Sequence, residues 1–188
     1  MLKGVYQLEV ESRGHEALID VETRQHLQKA SEWLCEEKPL SLALIGKVGN
    51  GKTTMMHAIC SLIEYVLQQY KKNFYDYVRV THARDIADLF RDGKDIETSA
   101  NKKAYEKLKS VNLLIIDDVG TEASEILNYG NPRHPIEELL QYRYDMQRST
   151  IFSSNLDAQK LTEVYGERTR DRTHETFLTL IYNGSSYR

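Results

Sequence analysis

The 188-residue sequence predicts an α/β fold: a parallel five-stranded sheet flanked by helices. Three observations predict it. Five short apolar or alternating runs, at 41–45, 77–83, 113–116, 149–155 and 177–182, are separated by stretches of helical periodicity. The first run leads straight into GKVGNGKT, Gly46 to Thr53. The third, within VNLLIIDD, ends in Asp117 and Asp118, at the strand edge where open α/β sheets bind ligands.

GKVGNGKT reads G-x-x-x-x-G-K-[ST], the phosphate-binding loop of P-loop NTPases. Glycine takes the backbone angles that curl the loop around a polyphosphate. Gly46, Lys47, Val48, Gly49, Asn50 and Gly51 then aim N–H groups inward as an anion nest, backed by the positive end of the following helix. Lys52 is the candidate ligand of the β and γ phosphates, Thr53 a ligand of Mg²⁺, and Thr54 completes the site. The context is correct for the motif. Ser41–Ile45 is a buried-strand run, and Met56, Ile59, Ile63, Val66 and Tyr70 recur at helical spacing after the loop.

The remaining elements follow in order. Residues 1–19 are weakly patterned and read as an extended segment or small hairpin. Asp20 caps a helix carrying Leu27, Ala30, Trp33 and Leu34, which Lys38-Pro39 ends. Trp33 has two readings: core packing, or a wall of the base pocket. Lys71 to Asn73 form a polar turn before the strand at 77–83. A short helix with Ile86, Leu89 and Phe90 stops near Gly93. Residues 94–110, with Lys94, Lys102, Lys103, Lys107 and Lys109, read either as a solvated helix face or as a nucleic-acid contact. Residues 119–134 are a loop. Pro135 opens a helix with Glu137 and Glu138 at its positive end and Arg148 at its negative end, and Ile136, Leu139, Leu140 and Met146 on its apolar side. Asp157 caps the next helix, with Leu161, Val164 and Tyr165 inward and Gly166 at its C-terminus.

A formal net charge of −3 does not by itself call for nucleic acid. Cys35 and Cys60 lack metal or redox spacing, so the chain reads as intracellular without a disulfide framework, and Cys60 as a packed apolar residue. The six histidines show no ligand spacing for zinc. With no signal-peptide core and no apolar run of membrane length, the expectation is a soluble cytoplasmic protein and no membrane partner.

From about Leu18 to Arg188 the sequence resembles the AAA+ ATPases of the DnaC helicase-loader and IstB transposition-helper group. The carriers are GKVGNGKT, LLIIDDVGTE, TIFSSNL, YGERTRDR and the terminal SYR. The resemblance implies a short N-terminal segment and helix over 1–37 and an AAA+ domain over 38–188, ending without a C-terminal helical lid. It also implies site roles. Gly46 to Thr53 are the Walker A loop; Asp117 is the Mg²⁺ carboxylate and Asp118 the carboxylate that polarises the attacking water. Asn155 is the polar sensor on the strand between the two Walker strands. Arg172 is an arginine finger reaching a neighbouring subunit's ATP, with Arg168 one turn earlier. The residues alone allow surface pairing of Arg168 and Arg172 with Glu163, Glu167 or Asp171.

Three departures from the group stand out. Walker B ends Asp-Asp rather than Asp-Glu, with Glu122 either assisting or facing solvent. Only some forty residues precede the first strand, so no counterpart of the separate N-terminal helicase-gripping domain of DnaC-type loaders is expected. The sensor 2 arginine has none either, unless Arg188 substitutes. The implied function is an ATP-dependent, homo-oligomeric ATPase of DNA replication that assists loading of a replicative helicase on single-stranded DNA. The alternative is an IstB-like helper acting with a transposase on duplex DNA. A P-loop small-molecule kinase and a non-hydrolysing nucleotide-binding scaffold are the rivals from other classes.

Overall fold

The computed structural model describes residues 1–37, 41–90, 100–123, 125–128 and 131–184. Its centre is an all-parallel sheet of β1 (Ser41–Gly46), β2 (Val78–His82), β3 (Leu113–Val119), β6 (Ser149–Ser154) and β7 (Phe177–Tyr182), in the order β2-β3-β6-β1-β7. Parallel strands need crossovers, and the helices supply them: α3 (Lys52–Gln69) with the single turn α4 (Phe74–Tyr77), α5 (Ala83–Asp88), α6 (Ala100–Ser110), α7 (Pro135–Asp145) and α8 (Ala158–Thr176). The sheet separates two apolar clusters. Leu42, Leu44, Ile115, Ile151 and Leu180 face α3 on one side, while Ala43, Ile116, Phe152, Ile86 and Leu139 pack on the other. Central strands covered on both faces explain why β1 and β3 read as continuous apolar runs.

The N-terminal stretch differs from the expected extended segment. Leu2–Ser12 is a helix, α1, lying on α3. Leu2 and Tyr6 are buried, and Val5 and Val10 pack against the same cluster. Their spacing is helical, but Gly4 and two β-branched valines depress local propensity, so tertiary burial holds this helix. Next, α2 (Val21–Cys35) is capped as expected, Asp20 Oδ1 accepting the Thr23 N–H at 2.7 Å. Trp33 is buried in the shared core, which decides for packing.

Other expectations shift in detail. Val66 and Tyr70 are exposed rather than on the buried side of α3. The 119–134 loop contains a small antiparallel pair, β4 (Ile126–Asn128) and β5 (Asn131–Arg133). The helix opened by Pro135 ends at Asp145, so Met146 is its exposed cap and Arg148 lies beyond its end, donating instead to the Ser110 carbonyl. Gly166 (φ 80°) breaks α8 as expected, but a second helical stretch continues to Thr176. Val164 is exposed while Tyr165 is buried. Lys38-Pro39, Gly93, Lys94, Gly130 and Arg188 lie outside the described residues. Among the described residues no helix follows β7, and none is long and apolar enough to cross a membrane.

One side chain fastens the far end of the sheet. Arg143 of α7 is 1% exposed, and among the described residues it pairs with no carboxylate. Its Nη1 donates to the Leu108, Val111 and Lys109 carbonyls at 2.8, 2.9 and 3.3 Å. Its Nη2 donates to Ser149 and Asn112 at 2.5 and 3.3 Å, and Nε to Thr150 Oγ1 at 2.9 Å. The guanidinium thereby caps the C-terminal carbonyls of α6 and joins the start of β3 to the start of β6. Burial lowers its pKa to about 10.

Candidate functional site

The phosphate loop runs from the tip of β1 to α3. Gly46 is required by close approach: a Cβ there would stand 2.4 Å from the Tyr182 carbonyl oxygen. Gly51, the N-cap of α3, sits at φ 84°, a left-handed conformation costly for other residues. Asn50 is buried, and its Nδ2 donates to the carbonyls of Tyr182 and Gly184 at 3.3 and 2.8 Å. Glu22 in turn accepts the backbone N–H groups of Asn183 and Gly184 at 2.8 and 3.0 Å. The loop is thus fixed to the end of β7 and, through it, to α2.

Lys52 is buried, its Nζ donating to the Gly46 and Lys47 carbonyls at 2.7 and 2.8 Å. Burial lowers its pKa, and the charges of Asp118 and Asp117 oppose that shift. Thr53 Oγ1 lies 3.4 and 3.3 Å from the two Asp117 carboxylate oxygens. A hydroxyl beside a buried carboxylate is an oxygen donor set suited to Mg²⁺, so the residues fit that ion.

The end of β3 is irregular. Pairing with β6 slips between Ile116 and Val119, and Asp118 has φ 57°. A bulge at this point re-aims side chains, and Asp tolerates the left-handed region better than most residues. The strained turn is fully bonded. Asp118 N–H donates to Asp117 Oδ1 at 3.0 Å and to Ser153 Oγ at 2.9 Å, and Ser153 Oγ–H donates to Asp117 Oδ1. Asn155, just past β6, donates from Nδ2 to Asp118 Oδ1 at 3.2 Å. Val48, Gly49, Asn50, Gly51, Lys52, Thr53, Thr54, Asp118 and Asn155 together line one cavity of about 870 Å³.

No protein-family model matches the sequence, and no curated protein matches it. Solved structures do match in three dimensions. A structure described as that of the DnaC helicase loader superposes with TM-score 0.66 at 19% identity, covering 87% of this chain and 92% of that one. The structure of DnaI gives TM-score 0.67 at 22% identity, covering 96% and 94%. AMPPCP-bound DnaA from Aquifex aeolicus gives 0.62 at 19%, covering 87% of this chain but 48% of that one.

The chain shares the fold of the DnaC, DnaI and DnaA structures.

Within this fold β6 lies between β1, which leads into the glycine-rich loop, and β3, which ends in Asp117 and Asp118, and it carries Asn155 beyond its tip. Asp117 and Asp118 of β3, Asn155 beyond β6, and Lys52 and Thr53 at the start of α3 come from three segments and converge. Arg172 does not line the cavity. Its Nη2 pairs with Asp145 at 3.3 Å, its guanidinium stacks over Tyr144 at 4.7 Å, and its buried Nη1 finds no partner among the described residues. The Arg168 side chain lies outside what the structure describes. Glu122 neither lines the cavity nor stands free. It accepts the Gly120 N–H at 2.9 Å and the Tyr165 hydroxyl, whose pKa is raised by burial and by the Glu122 charge.

The N-terminal wall was not foreseen. Tyr6, Val10, Arg13, His15, Glu16 and Leu18 line the cavity opposite the loop. Arg13, aligned by Glu9 at 2.7 Å, donates to Thr54 Oγ1 at 3.3 Å. The available signal was the helical spacing of Leu2, Tyr6 and Val10 followed by a cation.

Proposed function

We propose that this chain binds ATP with Mg²⁺ in the cavity between α1 and the phosphate loop and hydrolyses it. We propose further that it works as a homo-oligomeric, DnaC-like ATPase of DNA replication, assisting a replicative helicase onto single-stranded DNA. The observation that carries the ATPase reading is the Asn155–Asp118 hydrogen bond at the mouth of the phosphate loop, beside Thr53 and Asp117. The replication reading is supported by likeness to solved structures described as the DnaC helicase loader and DnaI.

In this reading the loop N–H groups bind the phosphates, and Lys52 Nζ exchanges its carbonyl partners for phosphate oxygens. Thr53 and Asp117 hold Mg²⁺, which when bound neutralises phosphate charge. Asn155 Nδ2 fixes Asp118 Oδ1, leaving Oδ2 to accept a hydrogen bond and then a proton from the attacking water. The Tyr6 and Val10 wall supplies apolar surface against the base. Arg172, outside its own cavity, is the candidate to stabilise the charge of a neighbour's γ-phosphate.

The test is phosphate release with and without single-stranded DNA, run beside equilibrium ATP binding. Lys52→Ala is expected to abolish both. Asp118→Asn is expected to keep binding and lose turnover by at least about 100-fold, the usual contribution of general-base catalysis. ATP binding that survives Lys52→Ala overturns the site assignment. Affinity capture with Mg-ATP then separates the roles: a replicative helicase retained only by the intact loop supports loading, and a transposase without helicase moves the protein to an IstB-like role.

A further inference from the structure

His82 ends β2 in register with Asp117 on β3. One ligand atom from each of His82, Asp117 and Asp118 lies within 4.8 Å of the others. The Mg²⁺ reading uses the Thr53 hydroxyl and Asp117, and assigns nothing to an imidazole. Mg²⁺ prefers oxygen donors and keeps its waters. An imidazole facing two carboxylates is instead the donor set of borderline transition ions such as Zn²⁺.

We propose that His82, Asp117 and Asp118 form a three-ligand site for a divalent transition ion, with Zn²⁺ as the type ion, binding without nucleotide. Zn²⁺ bonds of about 2.0–2.2 Å put neighbouring donors about 3.4 Å apart in a tetrahedral set. The three ligand atoms stand within 4.8 Å of one another, so binding would draw them closer, with His82 the exposed member of the set. The carboxylates are already oriented. Ser153 Oγ and the Asp118 N–H hold Asp117, and Asn155 Nδ2 holds Asp118 at 3.2 Å. Such outer hydrogen bonds are what a metal site needs to fix its ligands. The fourth position is open to water. A Zn²⁺ ion here takes Asp118 as a ligand and so removes it from service as a base. The bound ion therefore competes with Mg-ATP turnover.

The site shares two carboxylates with the proposed ATPase centre but does not depend on that reading. The test is calorimetric titration of the nucleotide-free full chain with ZnCl₂, in a Cys35→Ser background because Cys35 is an exposed thiol. One site per chain is expected. His82→Ala and Asp118→Asn are each expected to weaken it by at least about 10-fold, since losing a ligand costs no less than losing an outer-shell partner. Lys52→Ala removes a cation that interacts with both carboxylates, and is expected to leave Zn²⁺ affinity equal or tighter. Circular dichroism confirms that each variant is folded. A Cys35→Ser chain without a Zn²⁺ site, or a folded His82→Ala chain binding as tightly as its parent, overturns the proposal. ATP binding that survives Lys52→Ala would overturn the nucleotide site and leave this one standing.

Discussion

Arg143→Met removes the guanidinium that joins α6, β3 and β6 while keeping an unbranched side chain of similar reach. Four of its acceptors lie at 2.9 Å or closer: Leu108 O, Val111 O, Ser149 O and Thr150 Oγ1. Water can reach the partly buried Leu108 and Ser149 ends after the change, so these count for little. The Val111 and Thr150 bonds are fully buried. Leaving two such acceptors without a donor costs about 2–6 kcal/mol, centred on about 4. That is a large share of a total stability of about 5–15 kcal/mol. The measurement is urea unfolding of the full chain followed by Trp33 fluorescence, the single tryptophan being 2% exposed. With a slope of about 2 kcal/mol per molar urea, the midpoint should fall by about 2 M. Arg143→Lys keeps the charge but only three donors on one nitrogen, so it should fall between parent and Met. A drop below about 0.5 M for Arg143→Met would refute the reasoning, because the hydrogen bonds would then be no better than their replacements.

Four further outcomes follow from the geometry. Arg13→Ala should weaken ATP binding by about 3- to 10-fold at low salt and less at high salt, as expected of a partly exposed cation beside a phosphate site; fluorescence titration at two ionic strengths checks it. Asp145→Asn removes the carboxylate that holds Arg172, and should raise the ATPase rate at limiting protein concentration if assembly must free that arginine; an unchanged rate across a concentration series argues against the finger role. His26 is buried, its Nε2–H donating to the Ile181 carbonyl at 3.1 Å, and burial lowers its pKa below 6.5. The unfolded chain therefore binds more protons just below pH 6.5. The His26 contribution is intact above that value and is lost as pH falls toward the folded pKa. His26→Phe should flatten the slope of stability against pH in that window, read by urea midpoints. Gly120→Ala places a methyl 2.4 Å from Leu156 Cδ1 at φ 96°, and should cost about 1–3 kcal/mol in the same assay.

The centre of the sheet was legible because β1 and β3 are buried on both faces and so appear as unbroken apolar runs, each ending where polar residues begin. The loop motif announced itself for a related reason: few sequences satisfy its backbone geometry. What escaped was long-range. α1 has weak propensity and forms against α3, so no local window could fix it. Arg143 looks like any helix arginine until Leu108, Val111 and Ser149 are brought around it. The His82–Asp117 register depends on strand order, which the alternation of elements does not state. Exposed ends of elements, such as Val66, Met146 and Val164, fit a helical period without being buried, because periodicity marks a face and not how far its neighbour extends.

The bond from Asn50 to Gly184 makes the last strand a lever on the phosphate loop. A pull on Gly184 reaches the glycine-rich loop through two carbonyls and one side-chain amide, without crossing the core. Glu22 holds the same stretch from the other side, so α2 can brace it or let it go. A partner that gripped Asn183 and Gly184 would not need to enter the cavity to change the shape of the loop.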